Sequence, residues 1–319
     1  MINKRVLEKV EGWLIHNGAW KLSPEMRHVY RSEIETYDDT QLTYNVAIND
    51  INDVKGFFKK YFPRHFLKIQ HTLHDISLKG EDLLSRGFRT ITILDIGCGP
   101  GTASLAALDY YFQVISGFVL TDLNIAWPYK VPIEFRFLLV DKNNDCLSQA
   151  SKLIKNYLEY ISSKYGGIEK FFSVKPKIIT ICEEYPDAIS EINKAIIDFE
   201  NPPKLIFYSN VLVPLLNRWK CDDGSWGYCD FCKDYKTRNC ESAKKVIASH
   251  ESISNNLREE YYQVIIIQEK NNWEFIDSIL PESELYSEVC KMKQKNYDDI
   301  YTSKYFTSKY GRAIFHHNS

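Results

Sequence analysis

The sequence predicts an α/β protein built on a largely parallel sheet, preceded by a helical region. Three observations carry that reading. The run Ile91-Thr-Ile-Leu-Asp-Ile96 is mostly apolar and branched, the pattern of a strand buried on both faces. Asp95 is followed by Gly97, Gly99 and Gly101, and then by an alanine-rich segment from Thr102, giving a strand, a glycine turn and a helix. Beyond it, strand-like and helix-like segments alternate, as a parallel sheet requires.

Residues 1–88 precede this unit and read as helical, with residues 89–319 forming the sheet domain. Val6, Val10, Trp13, Leu14 and Ile15 make an imperfect helical stripe. From Val54 to Leu78, Phe57, Phe58, Tyr61, Phe62, Phe66, Leu67, Ile69 and Leu73 stand among Lys and Arg. Pro63 interrupts this segment, which predicts two helices or one kinked helix. Strands are expected at Ile91–Ile96, Phe135–Val140, Lys177–Cys182, Leu205–Ser209 and Val264–Gln268, with a last pair spanning about Tyr305 to Phe315. Tyr310-Gly-Arg312 is placed at the turn of that pair, as an antiparallel hairpin. Helices are expected at about Thr102–Phe112, Asp145–Ser162 and Pro186–Asp198.

Composition bounds the function. The chain has 319 residues, enough for one core with an appendage, and its net charge of −2 gives no global case for nucleic-acid binding. No apolar stretch reaches the ~18 residues of a membrane helix. The opening Met1-Ile-Asn-Lys-Arg-Val-Leu-Glu8 has no signal-peptide core, so a cytoplasmic location is expected. The eight cysteines are then read as thiols or metal ligands.

Three glycines in five residues allow positive φ and remove side chains that would block a ligand, and the helix start beyond them presents partly positive amides. The spacing is neither G-x-G-x-x-G nor a phosphate loop ending in Gly-Lys-Ser/Thr. Asp95-x-Gly97-x-Gly99-x-Gly101 resembles the first motif of class I S-adenosylmethionine-dependent methyltransferases. The resemblance covers about residues 90–315. It implies a Rossmann-like mixed seven-stranded sheet with helices on both faces, ending in an antiparallel hairpin. It also implies S-adenosylmethionine as cofactor, held close to Gly97, Cys98, Gly99 and Gly101, with Asp95 helping to hold its amino group.

A ribose needs an acceptor for its hydroxyls, usually a carboxylate at the end of the second strand. Two positions compete. Asp122 follows Gly101 by 21 residues, close to the usual spacing. Asp141 ends the Phe135–Val140 strand, and Leu147 and Ala150 follow it in a helix. That form is common in the methyltransferase family, and it makes residues 117–134 an insertion before the second strand. Glu183, or its neighbour Glu184, is placed to reach an adenine edge after the third strand. Of the two aspartates Asp141 is preferred; the plainer account of either is a helix cap or turn, and a solvated loop explains the glutamates equally simply.

At the end of the fourth strand, Ser209 and Asn210 should face the transferring methyl, with Tyr208 lining the pocket. Asn210 can orient an amine or a base edge, although both residues also suit plain strand-end caps. The Asp/Asn-Pro-Pro-aromatic signature of amino-methyltransferases is absent there, since Asn201-Pro-Pro-Lys204 precedes the strand. The methyl acceptor, whether small molecule, peptide or RNA, is not specified.

Four cysteines, Cys221, Cys229, Cys232 and Cys240, fall within twenty residues in an expected insertion at 218–242. The pattern C-x7-C-x2-C-x7-C suits four thiolates round one metal, zinc first and an iron–sulfur cluster as the alternative. A thiol-bearing surface loop or a redox pair at Cys229 and Cys232 is the simpler reading. Cys146, Cys182 and Cys290 read as buried small hydrophobes.

Tyr61-Phe-Pro-Arg-His-Phe-Leu-Lys68, the Asp95–Ser104 motif and the cysteine-rich insert together resemble the methyltransferase-like proteins associated with the small ribosomal subunit. That resemblance implies RNA or the ribosome as partner, and a binding or assembly factor as the alternative to an enzyme. Lys59, Lys60, Arg64 and Lys68 would then meet phosphates. The plainer account is an amphipathic helix packing its aromatics over the cleft with its charges in solvent.

Overall fold

The computed structural model describes residues 2–39, 50–209, 241–257, 260–267, 286–295 and 305–317. Helix α1 (Lys4–Leu14) starts where the Asn3 side chain accepts from the Arg5 amide, and it buries Val6, Leu7, Val10 and Leu14 on one face. Two short strands follow, β1 (Ile15–His16) and β2 (Ala19–Trp20), paired antiparallel. Ser23 caps α2 (Pro24–Val29), which continues into a π-helical turn at Tyr30–Ile34.

Helix α3 (Ile51–Leu78) begins at Asp50, whose carboxylate accepts from the amides of Asn52 and Asp53. It runs through Pro63 as one element, whereas the sequence left two helices open. An interior proline costs a helix about 3 kcal/mol. Phe58, Phe62, Phe66, Leu67 and Leu73 are all buried, each contributing roughly 1.5–3 kcal/mol, so packing outweighs the missing hydrogen bond. The same packing buries Lys68, one of the four cations suggested for phosphate contact. Lys59 is engaged as well, bonding the Tyr37 carbonyl at 2.7 Å and pairing with Asp39 at 2.8 Å.

The sheet domain follows in the order β3 (Thr90–Ile96), α4 (Thr102–Val119), β4 (Glu134–Asp141), α5 (Asn144–Lys164), β5 (Lys177–Cys182), α6 (Ile189–Asp198) and β6 (Leu205–Ser209). After residues outside the described set come α7 (Glu241–Asn256), β7 (Tyr261–Ile267), β8 (Tyr286–Lys295) and β9 (Tyr305–His317). Strand order is β1-β2-β8-β9-β7-β6-β3-β4-β5. Strands β5, β4, β3, β6 and β7 run parallel, and β9 is antiparallel to both β7 and β8. Apart from the two-residue strands at one edge, this is the mixed seven-stranded, Rossmann-like sheet that the resemblance implied.

The closing hairpin differs from expectation. Residues 310–312 form no turn: β9 runs straight through them, with Gly311 opposite Ile267 on one side and Val289 on the other. Its partner β8 was not anticipated, because Lys291, Met292, Lys293 and Gln294 lack the β-branched signature of a strand. The alternation is nevertheless present, with Cys290, Met292 and Gln294 buried and Lys291 and Lys293 exposed.

Side chains alternate between two cores. Ile93, Phe137 and Phe207 join α1, α3, α4 and α5 in the larger cluster. Leu94, Leu138, Ile206 and Tyr208 pack with α6 and α7 on the other face. Residues before 89 therefore share a core with the sheet. At its centre Asp109, fully buried, accepts from Ser23 Oγ (2.7 Å), Gln70 Nε2 (2.5 Å), Tyr157 Oη (2.6 Å) and Gln113 Nε2 (3.2 Å). Burial pushes its carboxyl up to about 6 against the pull of those donors.

Candidate functional site

Strand β3 lies between β4 and β6, and the chain moves to one side through α4 and to the other through α6. The carboxyl end of β3 is thus the switch point of the sheet, where open α/β folds form their ligand crevice. Residues 97–101 occupy that point. Cys98 N donates to the Val140 carbonyl (2.9 Å), and Gly99 N donates to Asp141 Oδ2 (2.9 Å), so the loop is fastened to the end of β4.

Two glycines are required by geometry. Gly101 has φ +82°, and a Cβ there would stand 2.8 Å from the Ala150 Cβ, so its absence lets the loop meet α5. Gly99 has φ +53°, and a Cβ there would meet nothing within 4 Å. Its backbone therefore borders open space.

Asp95 is fully buried and its Oδ2 accepts from both Ser104 N (3.0 Å) and Ser104 Oγ (2.7 Å). Gly101 has no side chain to cap α4, and Asp95 supplies that bond from the strand. Its Oδ1 is buried without a hydrogen-bond partner among the described residues. Burial pushes this carboxyl up to about 7, with the nearby Asp141 adding to the effect and the Ser104 bonds opposing it. Burial likewise holds the Cys98 thiol well above its usual value, which keeps it protonated rather than nucleophilic.

Asp141 sits at the end of β4, half-buried, with Oδ1 accepting from Asn143 N (2.9 Å). Asn143 in turn caps α5, accepting from Asp145 N and Cys146 N. Asp122 lies elsewhere. It is exposed beyond the far end of α4, whose 18 residues span about 27 Å away from the glycine turn. The structure therefore brings Asp141, and not Asp122, to the loop. Glu183 is exposed just past β5 on the same edge, where Asp141 aligns with Cys182. Glu184 pairs with Lys142 at 2.8 Å.

Across β3, Ile96 aligns with Tyr208, which puts Ser209 beside the start of the glycine loop. Tyr208 does not line that crevice. Strand alternation sends it into the second core, fully buried, its ring edge-on to Tyr185 and its hydroxyl 3.5 Å from His250 Nδ1. Asn210, Cys221, Cys229, Cys232 and Cys240 lie outside the described residues. Among the described residues no group of three or more His, Cys, Asp or Glu could hold a metal. Cys146 and Cys290 are buried as expected, but Cys182 is exposed, because β5 is an edge strand and Cys182 ends it. Ser104 and Asn143 were missed as members of the site. Asn143 carried a readable signal, an Asn before an acidic first turn, whereas Ser104 gains its role only from the fold.

No protein-family model matches the chain, and no curated protein matches it. Among solved structures it is similar to a precorrin-6y C5,15-methyltransferase from Geobacter metallireducens (10% identity, 78% of this chain and 87% of that one, TM-score 0.39). It is also similar to a magnesium protoporphyrin IX methyltransferase from Synechocystis with bound SAH (10% identity, 91% and 93% covered, TM-score 0.33). A third is a SAM-dependent O-methyltransferase from Thermotoga maritima (11% identity, 84% and 72% covered, TM-score 0.35). No helix among the described residues is long and apolar enough to cross a membrane.

Proposed function

We propose that the protein is an S-adenosylmethionine-dependent methyltransferase whose cofactor lies against the glycine loop at the switch point. The observation that carries this reading is the joined unit of Gly99 and Asp141, in which an open backbone edge and a carboxylate share one bond. The residues fit the group. Each Asp141 oxygen accepts one backbone N–H, which fixes the carboxylate at the edge of the loop, and a carboxylate acceptor there is of the type that ribose hydroxyls require. The Oδ1 of Asp95, without a partner among the described residues, is a buried acceptor for a cationic amine, and Glu183, just past the strand beside Asp141, is assigned to the adenine edge.

The bound cofactor would supply a methyl on a sulfonium, already activated for displacement. The chain's task is then to align the acceptor and exclude water. Ser209, at the end of β6 next to the loop, is assigned to orienting the acceptor, with Asn210 following it in sequence. The acceptor is a small molecule, a peptide or RNA. For the insert we propose that Cys221, Cys229, Cys232 and Cys240 bind zinc, a reading supported by their spacing.

Equilibrium dialysis against labelled S-adenosylmethionine tests the reading, with NAD as the comparison ligand. Saturable binding of the first and none of the second is the expected result. Binding of neither, or of NAD alone, overturns it.

A further inference from the structure

Away from the glycine loop, a cavity of about 420 Å³ is lined by Pro24, Arg27, His28, Arg31, Ser32 and Tyr160. Helix α5 starts at the carboxyl edge of the sheet, and Tyr160 lies 16 residues along it, about 24 Å from that edge. The cavity is therefore separate from the site proposed for methyl transfer and does not depend on that assignment.

Its lining is cationic and lacks the carboxylates that usually answer surface arginines. Arg27 and Arg31 are spaced i, i+4 and neither pairs with a carboxylate among the described residues. Arg27 uses Nη2 on the Leu22 carbonyl at 3.3 Å, while its Nε is buried with no acceptor among the described residues. The acids nearby are already engaged. Glu25 turns inward to Lys164, Tyr165 and Gln113, and Glu33 pairs with Lys152 at 3.0 Å. Burial, followed by the charges of Arg27 and Lys295, holds the Lys21 ammonium below its usual value.

The remaining lining groups are those of a phosphate ester site. Ser32 is exposed, its hydroxyl held among the described residues only by a long bond to the Val29 carbonyl at 3.4 Å. His28 stacks on Tyr160 with centroids 4.0 Å apart and planes 9° apart, so a fixed ring pair borders the arginines. Two unanswered guanidiniums beside stacked rings suit a phosphate carried on a planar group, since the guanidinium fork matches phosphate oxygens and ring faces accept a base.

We propose that this cavity binds the phosphate of a nucleotide unit, with Arg27 and Arg31 on the oxygens and the His28–Tyr160 pair beside the base. The source is either the phosphodiester of single-stranded RNA or a free nucleoside monophosphate.

Fluorescence anisotropy with a labelled ten-nucleotide single-stranded RNA and calorimetry with adenosine 5′-monophosphate distinguish the two sources, using the full chain. The Arg27→Gln/Arg31→Gln protein is expected to lose about tenfold or more in affinity for whichever probe binds. For RNA, the slope of log affinity against log salt should also shrink by about 0.7, the value for one lost phosphate contact. Arg31→Glu, a change at an exposed position, gives the same loss without risk to the fold, and circular dichroism verifies folding in both variants. Wild-type affinity for the probe in folded double variant overturns the proposal, as does failure of the wild-type protein to bind either probe.

Discussion

The amide of Gly99 donates to Oδ2 of Asp141 across 2.9 Å, although the two residues are 42 positions apart. The bond is possible because β3 and β4 are parallel neighbours in register, Ile96 beside Val140, so that both chains turn at the same edge. One pair thereby joins the glycine turn to the acid expected to hold a ribose.

Gly101→Ala tests how tightly that turn is packed. The new Cβ would press on Ala150 and occupy a left-handed conformation. Overpacking and the unfavourable φ predict a loss of about 1–3 kcal/mol, read as a lower urea midpoint. An unchanged midpoint contradicts the close approach.

Asp109→Ala should be more damaging. It strands buried donors from Ser23, Gln70 and Tyr157, groups on three separate elements. At about 1 kcal/mol or more for each unmet donor, the expected loss is roughly 3 kcal/mol by chemical denaturation. A loss below that of Ser23→Ala, which removes one cap and one of these bonds, would show the network to be of little consequence.

Asp95 predicts a pH dependence whose sign is fixed. Its folded carboxyl titrates at about 7, above its ordinary value of 3.8, so between those values the native state holds a proton that the unfolded chain has released. Stability then falls as pH rises from about 4 to about 7 and levels off above. Asp109, raised to about 6, contributes in the same direction over the lower part of that window. Urea midpoints of Asp95→Asn relative to wild type should be more favourable at pH 8 than at pH 5. An equal difference at both pH values contradicts the assignment.

Much of this organisation is legible in the chain. Strands β3 to β7 follow from branched apolar runs, and the glycine turn from its spacing, because both signals are local. The closing hairpin was misread for a nonlocal reason. Gly311 looks like a turn residue until β7 and β8 are seen to flank it, and Cys290, Met292 and Gln294 become a buried row only beside β9. Asp95 and Ser104 are near in sequence, yet their bond depends on the path of the glycine turn, which carries the first turn of α4 back to the end of β3. At Pro63 local propensity leaves open two helices or one kinked helix, and tertiary packing of the neighbouring phenylalanines selects the single helix. Asp141 is preferred to Asp122 already from the strand, turn and Leu147/Ala150 helix around it, and the length of α4 adds that Asp122 lies far from the loop.

The cysteine insert makes a separate prediction. Protein purified without chelator should carry stoichiometric zinc by elemental analysis, and Cys229→Ser plus Cys232→Ser should abolish it. Iron with labile sulfide in anaerobic preparations would replace zinc by a cluster. Metal content unaffected by the double substitution contradicts both.

Calorimetric titration of S-adenosylmethionine into wild-type and Asp141→Ala protein tests the central claim most directly. Removing a charged acceptor of the ribose hydroxyls costs roughly 1.5–3 kcal/mol, so affinity should fall about 10- to 100-fold in the variant. No binding to the wild-type protein, or equal affinity in folded variant, would contradict the account.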